Sequence, residues 1–184
     1  MEITKVQART KWKIDPEHSE IGFKSKHLMF TNVRGEFKQF GANINTKNED
    51  FRTARIKAWI NAESIDTANE KRDAHLTGPD FFDVENYDSI NFESTSIRKI
   101  EGAKYELIGD LTIKDITREI KLNVESGGIV KDPFGNEKAI FRVEGRINRK
   151  DWGLNWNMTL ETGGVLVSDE IRIHCEIQLT KDSE

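Results

Sequence analysis

Four histidines (His18, His27, His75, His174) and one cysteine (Cys175), with 32 carboxylates set against 28 Lys and Arg, are the groups able to do acid–base, nucleophilic or metal chemistry here. A built zinc site needs ligands at close, regular spacing, such as two histidines four apart on a helix. These histidines are scattered instead, and His174 alternates with Arg172 and Glu176, which points it outward. No metal site is expected. Nor is there a nucleophile elbow or a phosphate-cradling glycine loop. Cys175 shares the phase of Ile173 and Ile177 and is therefore expected to be buried and not activated. Most carboxylates alternate with apolar residues, as a solvated outer face would. No catalytic residue, enzyme activity or cofactor is expected from these patterns.

Two histidines keep a possible role. His27 is in phase with Ile21, Phe23 and Ser25, which turns it inward with an apolar set. There it could donate to or accept from a polar group near neutral pH, or be a core histidine bonded to a backbone carbonyl. Arg72-Asp73-Ala74-His75-Leu76 gathers a cation, a carboxylate and an imidazole within about one helical turn, just before Phe81-Phe82. The segment could close a cavity mouth, with Leu76, Phe81 and Phe82 as the plug and Arg72 or His75 meeting a polar head. Alternatively, Arg72 and Asp73 tie it down by salt bridges and hydrogen bonds. Trp152, Trp156 and Met158 follow Asn148-Arg149 and offer large surfaces for a channel wall, or for ordinary core or dimer packing.

The elements that must position these groups are nearly all strands. Apolar residues recur every second position at Ala54, Ile56, Ala58, Ile60 and Ala62, at Tyr105, Leu107, Gly109, Leu111 and Ile113, and at Ile120, Leu122 and Val124. The same period marks Ala139, Phe141 and Val143, and the run from Ile171 to Leu179. One-sided strands must close on themselves or find a second layer. Only one short helix is expected to help, near residues 66–76, with Asp66 or Thr67 as its N-cap. Turn signals at Lys47–Asp50, Glu101-Gly102, Lys114-Asp115 and Asp132–Asn136 favour hairpins. Ala alternates with Ile along 54–62, and Gly109 and Gly145 fall in similar phase, so the interior is either thinly filled, leaving a cavity, or filled by Phe and Leu from facing strands. Trp59 is out of phase and should point outward, toward a subunit contact or a covering loop.

Composition bounds the rest. A chain of 184 residues with 36% hydrophobic and 33% charged residues reads as one domain, 1–184, with its core at about 10–180. The net charge of -4 and pI near 5.7 argue against nucleic acid as a partner. No run approaches the roughly 20 apolar residues that span a bilayer, so no stable membrane insertion is expected. Met1–Lys11 lacks the apolar centre of a secretory signal, giving a cytoplasmic expectation unless a leader was removed.

Several blocks resemble one family in order and spacing. They are Trp12–Ser19, Ile21-Gly22-Phe23, Lys26-His27, Val33–Phe37, Ala62–Thr67, Lys71–Leu76, Asp80–Asp83, Ile90–Thr95, Gly109–Thr117, Asn148–Leu154 and Val167–Ile171. Together they resemble the YceI family over roughly residues 10 to 180. The resemblance implies an extended antiparallel lipocalin-like β-barrel of about eight strands. It also implies an elongated apolar channel for a polyisoprenoid, isoprenoid quinone or fatty amide, in a protein that is often a homodimer. In that setting the expected contacts to a long-chain isoprenoid or fatty-acyl lipid are Ile21, Phe23, His27, Phe37, Ile56, Ala58, Ile60, Phe81, Phe82, Phe92, Leu111, Phe141, Trp156 and Met158. His27 is the expected polar anchor. Two rival readings are a lipid-modifying enzyme using His27 or His75, and a stress-related structural or interaction protein whose cavity is incidental.

Overall fold

The computed structural model describes residues 8–182; residues 1–7, on which the leader reading partly rests, and 183–184 lie outside the described residues. The period-two segments form strands β1 (Arg9–Ile14), β2 (Glu20–His27), β3 (Thr31–Phe37), β4 (Phe40–Lys47), β5 (Asp50–Asn61), β6 (Ile65–Asp66), β7 (Ser89–Glu101), β8 (Lys104–Ile113), β9 (Ile116–Lys131), β10 (Glu137–Asn148) and β11 (Val167–Lys181). Along β8 the buried positions are Leu107, Gly109, Leu111 and Ile113, as alternation requires.

Register reduces these segments to eight barrel strands. β1 and β2 lie end to end along β11, with Trp12 opposite Lys181 and Ile14 opposite Leu179, then Glu20 opposite Glu176 and His27 opposite Val167. β4 and β3 continue one another beside them, and β5 and β6 beside those. Each composite strand is antiparallel to the next, and β11 closes on β1–β2, so the ring has no free edge along most of its girth. The expected hairpin turns all form, at β4–β5, β7–β8, β8–β9 and β9–β10.

The chain between β6 and β7 leaves the wall. Its helix α1 (Glu70–Thr77) is capped by Asn69, whose side chain accepts from Arg72 N, and not by Asp66 or Thr67. The reason is that Ile65-Asp66 is held extended against β3, and Asp66 and Thr67 are used up in the entry turn. Leu76, Phe82 and Val84 pack back onto the core, Phe82 edge-on to Phe37 at 5.9 Å.

One end of the barrel is sealed. Trp12 is buried there, donating from Nε1 to Thr46 Oγ1 at 3.1 Å, and its ring meets Phe51, which in turn meets Phe141. The other end carries the β2–β3 tip, α1 and the 153–166 connection. That tip, Leu28-Met29-Phe30, holds Leu28 and Met29 at φ 52° and 63°. Side chains pay for such left-handed backbone at about 1–2 kcal/mol per residue. The glycines expected to thin the interior are partly covered, because Phe92 lies over Gly109 and Leu122 over Gly145.

Candidate functional site

Between the two ends runs an apolar cavity of about 580 Å³. Its wall on β11 extends from Val167 to Leu179, on the order of 40 Å of strand at about 3.3 Å per residue, so the space is long and narrow. Phe51, Ala54 and Ile44 bound the sealed end; His27, Arg72, His75 and Trp156 bound the other. All the expected contacts line this cavity except Met158, which is 57% exposed in the 153–166 connection and turned away from it. The physical reason is local: Thr159 bridges to Val165, which makes a narrow loop that carries Met158 outward past the rim.

Apart from Tyr105 near the sealed end and Cys175 midway along β11, the polar side chains of the wall gather at the open end. The His27 ring makes no hydrogen bond within the described residues, so the backbone-carbonyl alternative is not the arrangement seen. Near it, Ser25 Oγ is buried without a partner among the described residues. His75 Nε2 lies 2.9 Å from Asp80 Oδ2, and its ring meets Trp156 edge-on at 4.6 Å and Phe81 at 5.1 Å. Arg72 and Asp73 do tie the excursion down, through hydrogen bonds that converge on Thr67. Arg72 donates from Nε to Thr67 Oγ1 and from Nη2 to Thr67 O, each at 2.8 Å, while Asp73 Oδ1 accepts from Thr67 N. Among the described residues neither makes a salt bridge.

Residues 12–179 match the family model described as the YceI-like domain. The chain belongs to the YceI-like family. A UPF0312 protein of Staphylococcus epidermidis is 38% identical over 175 residues, covering 95% of this chain and 99% of that protein. The crystal structure of the Campylobacter jejuni YceI protein superposes with a TM-score of 0.74 at 31% identity, over 86% of this chain and 90% of that one. A polyisoprenoid binding domain from Saccharophagus degradans, implicated in plant cell wall breakdown, shares the fold with a TM-score of 0.66 at 12% identity, over 93% and 98% of the two chains.

In this member of the YceI-like family, the side chain that most organises the open end is one the alternation pattern does not reveal. Arg149 follows β10 and is 3% exposed. Its guanidinium donates to the carbonyls of Leu154 (2.5 Å), Trp156 (2.9 Å), Ser168 (3.0 Å) and Val167 (3.4 Å). Burial pulls its pKa below the ordinary arginine value, opposed by Asp169 at 3.8 Å. Arg149 thereby pins both ends of the 153–166 connection and sets Trp156 against His75. The signal visible in the sequence is an arginine three residues before a Trp-Gly pair, with no strand alternation to place it.

Trp152 belongs to the core, with Nε1 donating to Leu111 O at 2.9 Å; it does not line the cavity. Trp59 points outward as expected, and its ring covers Gly41 on the neighbouring strand. Cys175 is buried on the cavity wall, where burial pushes its thiol pKa up to about 12.

Proposed function

We propose that this barrel binds a long-chain amphiphilic lipid, of the isoprenoid class, with the chain along the cavity and the polar head at the His27 and His75 end. The observation that carries the reading is the asymmetry of the cavity: largely apolar along its length, sealed by Trp12, Phe51 and Phe141 at one end, with its histidines His27 and His75 and its arginines Arg72 and Arg149 at the other. Each methylene taken from water contributes about 0.8 kcal/mol, so affinity scales with chain length and a narrow channel favours long chains over compact ligands. Family membership and the polyisoprenoid binding domain of the same fold support the same class. His27 is the polar anchor in this reading, and carriage of the lipid follows from enclosing it. A homodimer is part of the proposal, with Trp59, 44% exposed, as the candidate contact; light scattering that finds only monomer removes that part.

Mass spectrometry of an organic extract of the purified protein, beside an unrelated protein handled identically, tests the reading. A stoichiometric isoprenoid, quinone or fatty amide supports it, and a clean extract together with no uptake of added polyprenol overturns it. Replacing His27 with Phe tests the anchor, since unchanged occupancy and selectivity would remove its role.

One observation favours a second reading, turnover of the bound lipid. The His75–Asp80 pair at the rim has the geometry of an oriented base. Product formation from a bound lipid that His75→Ala abolishes would establish it.

A further inference from the structure

The open end presents an unusual surface. Leu28, Met29 and Phe30 are all exposed, Phe30 by 87%, and they are joined by Met158 and Val165 from the neighbouring connection. Leu28 N donates to Leu166 O at 2.9 Å and Met29 lies against Gly164, so the two segments form one patch. Single exposed apolar residues need no explanation, but a contiguous group on a protruding tip does. Leu28 and Met29 occupy left-handed conformations where Gly or Asn would be unstrained, yet the positions carry bulky apolar side chains held out in water.

The outer wall beside this tip carries its own pattern. Arg146 on β10, Arg172 on β11, Lys24 on β2 and Arg34 on β3 stand directly opposite one another across four adjacent strands. At strand spacing this is a cationic row of roughly 14 Å. Like charges opposite one another destabilise a sheet, so the row is kept at a cost. Glu170 is the one carboxylate paired with it among the described residues, at 3.2 Å from Arg172 and 3.9 Å from Arg146. Lys24 and Arg34 have no ion pair among the described residues. The stretch Ile21–Gly35 contains Lys24, Lys26 and Arg34 and no carboxylate, in a chain whose net charge is -4.

From this surface we infer that the open end docks peripherally on an anionic lipid bilayer, with the Leu28-Met29-Phe30 tip entering the interface and the Lys24, Arg34 and Arg172 row facing the headgroup phosphates. An apolar wedge flanked by cations fits a surface that is anionic outside and apolar beneath. A second copy of this chain fits badly, because tip-to-tip pairing would bring two cationic rows together. Docking is by the rim alone, and no helix among the described residues is long and apolar enough to cross a membrane. The docked face surrounds the cavity mouth, but it is made by the outer surface and does not depend on what fills the cavity.

Co-sedimentation with vesicles of phosphatidylcholine mixed with phosphatidylglycerol, against phosphatidylcholine alone, tests the inference. The intact protein is expected to bind the mixed vesicles, bind neutral ones weakly, and release as salt rises. The double variant K24A/R34A should lose about 25-fold in affinity, at about fivefold per cation. M29S/F30S should lose about tenfold even at low salt. Both variants should melt like the parent, since the altered side chains are at the surface, and His27→Phe should bind vesicles normally, which separates docking from cargo. Absence of binding by the intact protein, or parental binding by both double variants, overturns the inference. So does a tip-dependent dimer in light scattering with no vesicle binding.

Discussion

Phe23 and Gly35 are partners in register on β2 and β3, and the Phe23 ring lies so close over Gly35 that a Cβ there would sit 2.3 Å from its Cζ. No side chain longer than hydrogen fits without moving the ring. Gly35→Ala is therefore expected to drive Phe23 further into the cavity, costing about 1–3 kcal/mol of stability and reducing the amount of lipid retained. Urea unfolding and organic extraction of the same preparation measure both; parental stability and load would show that the ring has room to turn aside.

Arg149 satisfies four carbonyls from inside the protein. Methionine replaces the aliphatic stem but offers no donor, so Arg149→Met leaves those carbonyls to find water or stay unpaired. A loss of about 3 kcal/mol is expected, with the 153–166 connection opening first. Hydrogen exchange would localise it, as lost protection at Leu166, Val167 and Leu28, ahead of the barrel strands. Uniform loss across the barrel would assign Arg149 to the core as a whole instead.

Much of this architecture was legible because alternation is a property of the strand itself. Ala54 to Ala62 and Ile171 to Leu179 show their inward faces without any tertiary knowledge, and three of the four hairpin turns carry Asn48, Gly102 or Gly135 where left-handed backbone is needed, Lys114 in the β8–β9 turn being the exception. The tip at Leu28-Met29 was not legible, since its residues are ones that avoid that conformation. α1 starts later than local sequence predicts because pairing of β6 with β3, a long-range event, overrides local capping preference. Residue type alone suggests Met158 for the wall, and a loop has no period from which to read direction. Arg149 escaped because its partners are backbone carbonyls, which leave no mark in the sequence.

Asp15 stands at the break between β1 and β2, with Lys138 at 2.9 Å and His18 at 2.8 Å. Burial by itself would raise its pKa, but the hydrogen bonds from Lys138 and His18 outweigh that and hold the carboxyl below its ordinary 3.8. A lowered folded-state pKa means the stabilisation is complete above the unfolded value and is lost as pH falls below about 3.8, through the folded value. Lys138→Met should flatten this acid limb and lower stability at neutral pH by about 1–3 kcal/mol. Unfolding midpoints from neutral pH to about pH 2 would check it; an unchanged acid limb would mean Lys138 does not hold Asp15.

Cys175 shows the opposite sign. With its pKa pushed up to about 12, only about one thiol in ten thousand is ionised at pH 8, and the thiolate is the reactive form. The native protein should resist a thiol reagent such as dithionitrobenzoate, and react promptly once unfolded in urea. Because the folded-state value lies above the ordinary 9.0, the proton is bound more tightly in the native state. Stability from this group is therefore full below about pH 9 and declines as pH rises from there toward 12. Cys175→Ala removes the titrating group, so its stability should fall less steeply on the alkaline side than that of the parent. Rapid labelling of the native thiol at pH 8, at the rate of the unfolded chain, would place Cys175 within reach of solvent through the cavity mouth and overturn the expected burial.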